Sequence, residues 1–191
     1  VETGSKIFGY NDDFNGENQE GIGFYQTTQK DGKRCSAAKA YLVPCLDREN
    51  LTVMTETNVN KIIIENNKAI GVECVNNKGE FFTINANKEV LLSSGAFGSP
   101  QILLRSGIGP SNEIIKHNIE HVHDLPGVGK NLQDHLETYI QQECRTPDTL
   151  YSYVNKLRML KIGIQWFLNK SGPCATSFLE AGGFCKSSED K

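Results

Sequence analysis

The sequence predicts a mixed α/β fold, and three observations support this class. A strand is predicted over 59–64, residues 70–74 alternate between apolar and other residues as is typical of a half-buried strand, and the turn-forming residues 76–79 follow as a hairpin turn. The apolar run 90–92 has the length of a strand buried on both faces, and a helix signal comes directly after it. Residues 154–168 have the apolar spacing of an amphipathic helix.

Residues 1–33 are predicted to form a surface loop, a strand and a tight turn. The loop is expected because the beginning of this segment is rich in Asn, Asp and Gly, which favour turns. A strand is predicted over 23–29. Asp31 and Gly32 then form the Asp-Gly pair that is typical of a two-residue turn.

Two short elements are expected before the first alternating strand. Ser36 can accept a hydrogen bond at the start of a helix over 37–42, and Pro44 is expected to end that helix. The segment 51–55 is predicted to be a short strand.

A turn of small residues lies between the apolar run 90–92 and the helix that follows it. Ser99 is a good N-cap, Pro100 suits the first helical position, and Gly107 suits the C-terminal cap. A turn of this kind exposes backbone N–H groups at the start of a helix, where phosphate or polar cofactor groups bind. The same unit is also a common α/β connection without a ligand, so the residues alone leave both interpretations open.

The C-terminal half is predicted to contain further helices and strands. Ser111 can cap a helix through 115, a tight turn is expected over 125–129, and strands are expected over 137–145 and 177–184. The apolar residues of the helix over 154–168 form one stripe, which is predicted to be core: Leu157, Leu160, Ile164, Phe167 and Leu168.

The composition excludes several classes of protein. With a formal net charge of −3 the chain lacks the basic character that is usual in nucleic-acid binders, so we expect no nucleic-acid partner. We also expect no transmembrane segment, because no apolar run approaches the ~20 residues that cross a bilayer. The first residues lack the basic and apolar regions of a signal peptide.

The cysteines and histidines do not have the spacing of a metal site. The six cysteines form no C-x-x-C pair and are predicted to be reduced and mostly buried. The four histidines form no H-E-x-x-H motif, so no metal is expected. His135 is a candidate base oriented by Asp134, or the two residues fix a turn through hydrogen bonds to the backbone.

Glu180 lies in the apolar segment 178–184, which makes it a candidate binding residue. An acid among aromatic residues is costly to bury unless a cation or a donor meets it, and a carboxylate beside aromatic faces suits an organic cation. The alternative is a Glu on the solvent side of an alternating strand.

Two long segments resemble one known family. LLSSGAFGSPQILLRSGIG at 91–109 is similar to the second signature of the glucose–methanol–choline (GMC) oxidoreductases, and LPGVGKNLQDH at 125–135 is similar to the segment that follows it there. The segments 36–42 and 57–62 fit the same family in the same order. The family's N-terminal G-x-G-x-x-G and its C-terminal catalytic His are missing, so we expect an internal part of a longer enzyme, with no catalytic residue in this chain.

Within the family the resemblance is greatest to the members that oxidise choline. It rests on residues 13–16 with 19–21, on 137–142 and on 175–184. It implies part of an FAD-binding Rossmann-like domain over 34–134. It further implies part of a substrate domain with an antiparallel sheet over 135–191, to which the loop and strand of 1–33 also belong.

The resemblance also implies the site residues and the cofactor FAD. Val59 matches the position whose backbone contacts the adenine of the flavin cofactor, and Ser94 and Gly95 match the segment that lines its adenosine end. Glu180 matches an acid that faces the trimethylammonium group of choline. Leu91 and Leu92 are expected to lie in a sheet and the bend after them beside a groove of dinucleotide size, and a structure without either would overturn the interpretation.

The implied reaction is oxidation of choline to betaine aldehyde, with hydride transfer to the flavin. The alternatives are another primary alcohol as substrate, or an inactive module of this length with only a binding or structural role. The partner is therefore a small-molecule alcohol, while the electron acceptor stays open. By analogy the location is mitochondrial in a eukaryote, and cytoplasmic or associated with the inner membrane in a bacterium.

Overall fold

A computed structural model describes residues 1–146 and 149–188, and these form two compact units. The central unit consists of Thr52–Ile140. The terminal unit combines Val1–Leu51 with the described residues from Gln141 onward.

The described residues contain both strands and helices, and the strands β1–β3 and β4–β6 each follow one another along the chain. The strands are β1 (Gly21–Phe24), β2 (Gln29–Lys30), β3 (Lys33–Arg34), β4 (Thr57–Glu65), β5 (Lys68–Asn76), β6 (Phe81–Asn85), β7 (Ile108–Gly109), β8 (His123–Asp124) and β9 (Ala181–Phe184). The helices are α1 (Glu2–Phe8), α2 (Gly95–Arg105), α3 (Ser111–Lys116) and α4 (Lys156–Asn169), with a π-helical turn at Ala38–Leu42 and 3₁₀ turns at Val43–Cys45, Leu150–Tyr153 and Pro173–Ala175.

The central unit contains an antiparallel sheet in the order β4-β5-β6. Asn66 and Asn67 connect β4 to β5 with φ angles of 50° and 62°, a conformation that Asn adopts more readily than most residues. The next turn is closed by Gly79, whose N–H donates to the carbonyl of Asn76 at 3.0 Å. The strands predicted over 59–64 and 70–74 and the hairpin turn after them are therefore confirmed.

Helix α2 packs against β4. Strand β7, which contacts both α2 and α3, pairs in parallel with β8. The side chains of Ile102 on α2 and Ile114 on α3 are buried. The start of α3 differs from the prediction, because Asp124 and not the Ser111 hydroxyl caps it. The Asp124 carboxylate accepts the N–H of Ser111 at 3.0 Å.

The terminal unit is held together by the antiparallel pair of β1 and β9, in which Gly21 lies opposite Phe184. Beside this pair the ring of Phe14 is buried between two other aromatic rings, with centroid distances of 5.5 Å to Tyr25 and 5.4 Å to Phe184. Aromatic pairs at this separation and tilt contribute beyond their buried area. This cluster attaches the N-terminal loop to both strands.

A second contact across the terminal unit involves the tight turn between β2 and β3. Asp31 and Gly32 have φ angles of 52° and 63°, as the predicted two-residue turn requires. The indole N–H of Trp166 on α4 donates to the carbonyl of Gly32 at 2.7 Å. The turn and the helix are therefore joined by a hydrogen bond between residues far apart in the sequence.

The predicted cap at Ser36 is also present. The Ser36 hydroxyl accepts the backbone N–H of Lys39 at 3.3 Å. The helix that follows differs from the prediction, because it is π-helical and continues directly into the 3₁₀ turn that contains Pro44.

Three of the predicted strands, over 51–55, 90–92 and 137–145, do not form. A strand needs a neighbour to accept and donate its backbone hydrogen bonds, and no described segment pairs with these three. Leu91 and Leu92 consequently lie outside any sheet, and Leu91 is 80% exposed. The structural condition that we attached to these two residues is not met.

Other predicted elements form with different bounds or surroundings. The strands predicted over 23–29 and 177–184 are shorter in the structure and are limited to β1 and β9. The amphipathic helix is confirmed as α4, but its predicted core stripe is wrong, since all five of its side chains are exposed. The prediction that most cysteines are buried is also wrong, because among the described thiols only that of Cys74 is buried.

No helix among the described residues has both the length and the apolar character needed to cross a bilayer.

The turn at Gly32 leads to a prediction about the free energy of unfolding. A Cβ at Gly32 would overlap the carbonyl oxygen of Lys170, and φ is positive. We expect Gly32→Ala to lower the free energy of unfolding by about 2 kcal/mol or more, measured in urea by the fluorescence of the single tryptophan. Gly9→Ala is the matched control in the same unit, since Gly9 also has positive φ but no neighbouring atom within 4 Å. It should cost only about 1 kcal/mol, and equal losses in both variants would contradict the packing argument.

Candidate functional site

The N-terminus of α2 is the first candidate site, and Gly95 determines its shape. Gly95 has a φ angle of 81°, which L-residues rarely adopt, while a Cβ there would contact no atom within 4 Å. The glycine is therefore required for the backbone conformation and not for space. Ser94, Gly95 and Ala96 are all exposed, so the first N–H groups of the helix are accessible.

The helix starts five residues earlier than predicted, and Ser99 has a different role from the one expected. The Ser99 hydroxyl accepts the N–H of Ser94 at 3.0 Å, which closes the turn from inside the helix. Pro100 lies within α2 and not at its first position. At the other end Gly107 follows the C-cap with a φ angle of 78°, as predicted.

Val59 lies on β4, which is the edge strand of the three-stranded sheet, and pairs with Cys74 on β5. A register shift between Val59 and Lys61 places Asn60 in a β-bulge. Along an edge strand, half of the backbone groups have no strand partner, so they are available to other groups. The side chain of Val59 is half-buried.

A polar cluster connects this bulge to the C-terminal end of α2. The guanidinium of Arg105 donates to the side-chain oxygen of Asn60, and the side-chain nitrogen of Asn60 donates to the carboxylate of Glu73. The ammonium group of Lys61 lies 3.9 Å from the other carboxylate oxygen of Glu73. Ser106, which follows Arg105 in the chain, is buried and donates its hydroxyl hydrogen to the carbonyl of Ile102.

Cys74 lies near this cluster and carries a thiol, which is a potential nucleophile, but here it is a packing residue. Its side chain is 1% exposed, and burial raises the pKa of its thiol, with a smaller contribution from the negative charge of Glu73. The raised pKa favours the neutral thiol, which is the unreactive form.

Glu180, the predicted binding residue, lies in the terminal unit directly before β9 and not within it. Its side chain is exposed and accepts a hydrogen bond from the hydroxyl of Thr176, while its carbonyl accepts the N–H of Tyr25 at 2.8 Å. Two apolar neighbours, Phe178 and Leu179, are also exposed. The carboxylate is thus accessible beside apolar surface.

An open groove of about 860 Å³ lies near this segment, within the terminal unit. Thr176, Phe178 and Trp166 line it, and so do cationic side chains, namely those of Lys33, Arg34 and Lys39. The side chain of Glu180 does not line this groove. Because the cations would repel a positively charged ligand, a cation bound by Glu180 would have to contact Phe178 and Leu179, which also line the groove, from outside it.

The remaining candidate, His135, lies in the segment 131–144, which has no regular structure and no turn. The carboxylate of Asp134 accepts the backbone N–H of His135 at 2.8 Å. Among residues 1–146 and 149–188, no group of His, Cys, Asp and Glu side chains is placed to hold a metal ion.

The structure places Val59, Ser94 and Gly95 in the central unit and Glu180 in the terminal unit. Asn60, Arg105 and Ser106, which connect α2 to β4, were not singled out from the sequence. Arg105 and Ser106 stand inside the long segment 91–109, so their position within it was the signal available.

The sequence profile of a family described as GMC oxidoreductase matches residues 1–137, which is more than half of the chain. This chain belongs to the GMC oxidoreductases. The predicted family is thereby confirmed, although Leu91 and Leu92 form no strand. Leu91 and Leu92 were not a suitable test of the family, because a strand there requires neighbouring strands that no described segment supplies.

Curated relatives of this GMC chain include choline dehydrogenases. An oxygen-dependent choline dehydrogenase of Brucella ovis is 45% identical over 98% of this chain, and the human mitochondrial choline dehydrogenase is 49% identical over 92% of it. The matches cover 34% and 30% of those proteins, so the chain spans about a third of the length of the curated relatives it matches.

Solved structures of GMC-type enzymes have the same fold. A formate oxidase is 27% identical with a TM-score of 0.74, and the match covers 85% of this chain and 28% of the formate oxidase chain. An FAD-dependent oxidoreductase from Chaetomium thermophilum, at 23% identity and a TM-score of 0.77, agrees in fold over 94% of this chain and 32% of its own. The mixed α/β class is confirmed by these neighbours, and the cofactor that the family and its structures support is FAD.

The buried position of Cys74 leads to a prediction about thiol reactivity. With a thiol-specific chromogenic disulfide at pH 8, we expect the exposed Cys174 and Cys185 to react within minutes, while Cys74 reacts only at the rate of unfolding. In denaturant all six thiols should react together. Cys74→Ala is the control, since it should remove the slow phase alone. A fast reaction of Cys74 in the folded protein would contradict its burial.

Proposed function

We propose that this chain is part of an FAD-dependent choline dehydrogenase. The observation that carries the proposal is the 45–49% identity to choline dehydrogenases over nearly the whole chain. Pyridoxine 4-oxidase, whose name indicates another substrate, is 32% identical over 70% of the chain. The higher identity and the greater coverage favour choline over a different alcohol.

In this proposal the central unit binds the adenosine end of FAD. The N–H of Ser94 is donated to Ser99, but those of the exposed Gly95 and Ala96 carry the partial positive charge of a helix N-terminus, which suits the polar groups of a nucleotide. The backbone of Val59 lies on an edge strand and can contact the adenine without competing with a sheet partner. These features fit the adenosine end of a dinucleotide. FAD, when bound, supplies the acceptor for hydride.

The terminal unit would bind the substrate through Glu180. A quaternary ammonium group has no N–H, so it is recognised by opposite charge and by apolar or aromatic contact and not by hydrogen bonds. The accessible carboxylate of Glu180 and the exposed side chains of Phe178 and Leu179 supply both kinds of contact within a short segment. With the cation held at one end, the hydroxyl end of choline is limited to few poses.

The domain roles follow the two units with shifted boundaries. We assign FAD binding to Thr52–Ile140 and substrate binding to the terminal unit, whereas the sequence placed the FAD-binding part at 34–134. The difference lies at both ends, since residues 34–51 belong to the compact unit that contains β1 and β9, while residues 135–140 belong to the central unit.

The partner molecules and the location are inferred from the relatives. A small-molecule alcohol is the substrate class, and choline is its proposed member. Human and mouse relatives are named mitochondrial choline dehydrogenases, which supports a mitochondrial location if the source is a eukaryote. For a bacterial source, a cytoplasmic or inner-membrane-associated location stays a prediction by analogy, because the names of the bacterial relatives state no location.

The substrate proposal is tested in the full-length enzyme that contains this chain. The uncharged isostere of choline, 3,3-dimethyl-1-butanol, replaces the ammonium nitrogen by carbon. We expect Glu180→Gln to raise the KM for choline about tenfold and to leave the KM for the isostere within about twofold, because only choline loses a charge interaction. Steady-state assays with both alcohols measure this.

Glu17→Gln is the control for this test, since it removes an exposed acid of the same unit. It should change neither constant. An unchanged choline KM in Glu180→Gln would exclude the cation site, and failure of the wild-type enzyme to oxidise choline would exclude the proposed substrate.

A second prediction concerns the chain of 191 residues by itself. It lacks the G-x-G-x-x-G segment and the catalytic His of the family, so we expect no reduction of a redox dye with choline and only weak FAD binding. Purification without added flavin, followed by an absorbance spectrum, measures the second point. A flavin spectrum in the purified chain would contradict it.

A further inference from the structure

The hydroxyl of Ser106 joins the last turn of α2 to the middle of β4. It accepts the backbone N–H of Ile62 at 2.8 Å and donates to the carbonyl of Ile102 at 2.6 Å. Ser106 is only 6% exposed, so water does not substitute readily for either bond. This is a long-range contact, since Ser106 and Ile62 are 44 residues apart in the chain.

The geometry explains why a hydroxyl is required at this position. Because β4 is an edge strand, no described strand accepts the N–H of Ile62 on that side. A buried N–H without an acceptor is unfavourable by about the free energy of a lost hydrogen bond. The bond to Ile102 fixes the rotation of the Ser106 hydroxyl, which leaves its lone pairs directed to Ile62.

Arg105 supplies a second connection beside the first. Its guanidinium donates to the side chain of Asn60, two residues before Ile62 on β4, and Asn60 is itself bonded to Glu73 on β5. Arg105, the last residue of α2, and Ser106, its C-cap, are thus bonded to Asn60 and Ile62 on β4. Two points of attachment limit the rotation of the helix as well as its distance from the strand.

The consequence for the far end of α2 depends on the length of the helix. Its 11 residues span about 16 Å, so a rotation of about 10° at Ser106 would displace the turn at Gly95 by about 3 Å. Val59, the other residue assigned to the adenosine end, is next to Asn60 on β4. The two parts of the proposed nucleotide site therefore lie on the two elements that Ser106 and Arg105 connect.

We propose that Ser106 is a positioning residue for the adenosine end of FAD, acting through α2 and not by contact with the cofactor. This inference rests on the proposed function, because it assumes that Val59, Ser94 and Gly95 hold the adenosine. Ser106→Ala leaves the N–H of Ile62 without its acceptor and reduces the two attachments of α2 to β4 to the single one between Arg105 and Asn60, about which the helix can rotate. The orientation of the Gly95 turn relative to Val59 is then no longer determined.

The test compares ligands that do and do not contain the adenosine part. In the full-length enzyme, stripped of flavin, the dissociation constants of FAD, ADP and FMN are measured by flavin fluorescence and by competition. We expect Ser106→Ala to weaken FAD and ADP about tenfold and to leave FMN within about twofold, because FMN lacks the adenosine. Ser106→Thr keeps the hydroxyl and should restore the wild-type pattern.

Two further variants keep the test decisive if Ser106→Ala unfolds the enzyme. Arg105→Gln changes an exposed side chain and breaks only the second connection, so it should weaken FAD and ADP about threefold with FMN unaffected. Ser111→Ala is the matched control, because the bond at Ser111 is made by its backbone N–H. It should leave all three constants unchanged.

Hydrogen exchange at the Ile62 amide shows whether the connection is broken, and it should become faster in Ser106→Ala. Faster exchange with unchanged FAD and ADP binding would overturn the proposal, and so would equal weakening of FAD and FMN, which indicates a general loss of structure.

Gly95→Val separates this inference from the function on which it rests. If Gly95→Val leaves FAD binding unchanged, the proposed adenosine site fails. If Gly95→Val weakens FAD while Ser106→Ala does not, only the positioning role fails.

Discussion

The hydrogen bond from the Ile62 amide to the Ser106 hydroxyl is the contact on which the arrangement of the central unit depends. The sheet β4-β5-β6 is formed by local hairpins and needs no help from the rest of the chain to establish its register. Helix α2 has no such local constraint, since it follows the sheet after a stretch without regular structure. It is placed by the contacts that its last residues make with the free edge of β4, which converts an unpaired strand edge into the attachment point of a helix.

The requirement that backbone groups be paired also explains which parts of the fold could be predicted from the sequence. The strands around 59–64 and 70–74 and the turn at Asp31 and Gly32 were predicted, because hairpins are encoded by turn residues and by alternation over a few positions. The strands predicted over 51–55 and 90–92 do not form, because a buried strand exists only beside its neighbours. Their composition is that of strands, and what is missing is a partner.

The same reasoning applies to α4, whose periodicity correctly predicted a helix but not its surroundings. Amphipathic spacing shows that one face of a helix favours burial, yet it does not provide the surface that buries it. In the described chain the stripe from Leu157 to Leu168 stays exposed, while the cap by Asn155 and the left-handed Lys170 set the ends of the helix. Local signals therefore determine the limits of this element, whereas its packing is a tertiary property.

The residues of the candidate site also differ in whether a local sequence pattern or only a tertiary contact reveals them. Ser94 and Gly95 were available from a helix-start pattern, and Glu180 from an acid among apolar residues, but their roles came only from resemblance to a family. Ser106 and Asn60 have no pattern of their own, since a serine at a helix end and an asparagine in a strand are ordinary residues. Their significance lies in a contact across 44 residues, which only coordinates reveal.

In the proposed function, the assigned residues bind the two ends of the reacting system, the adenosine of the cofactor and the ammonium of the substrate, and none of them has a role at the atoms that exchange hydride. Groups of this kind contribute by orientation, because a small misplacement of a reactant reduces the fraction of bound molecules in a reactive pose. A change at the cofactor end therefore alters occupancy by FAD and leaves the substrate constants of the loaded enzyme intact. A change at Glu180 alters the KM for choline and leaves flavin binding intact. Independence of these two effects is what distinguishes two binding ends from one shared catalytic centre.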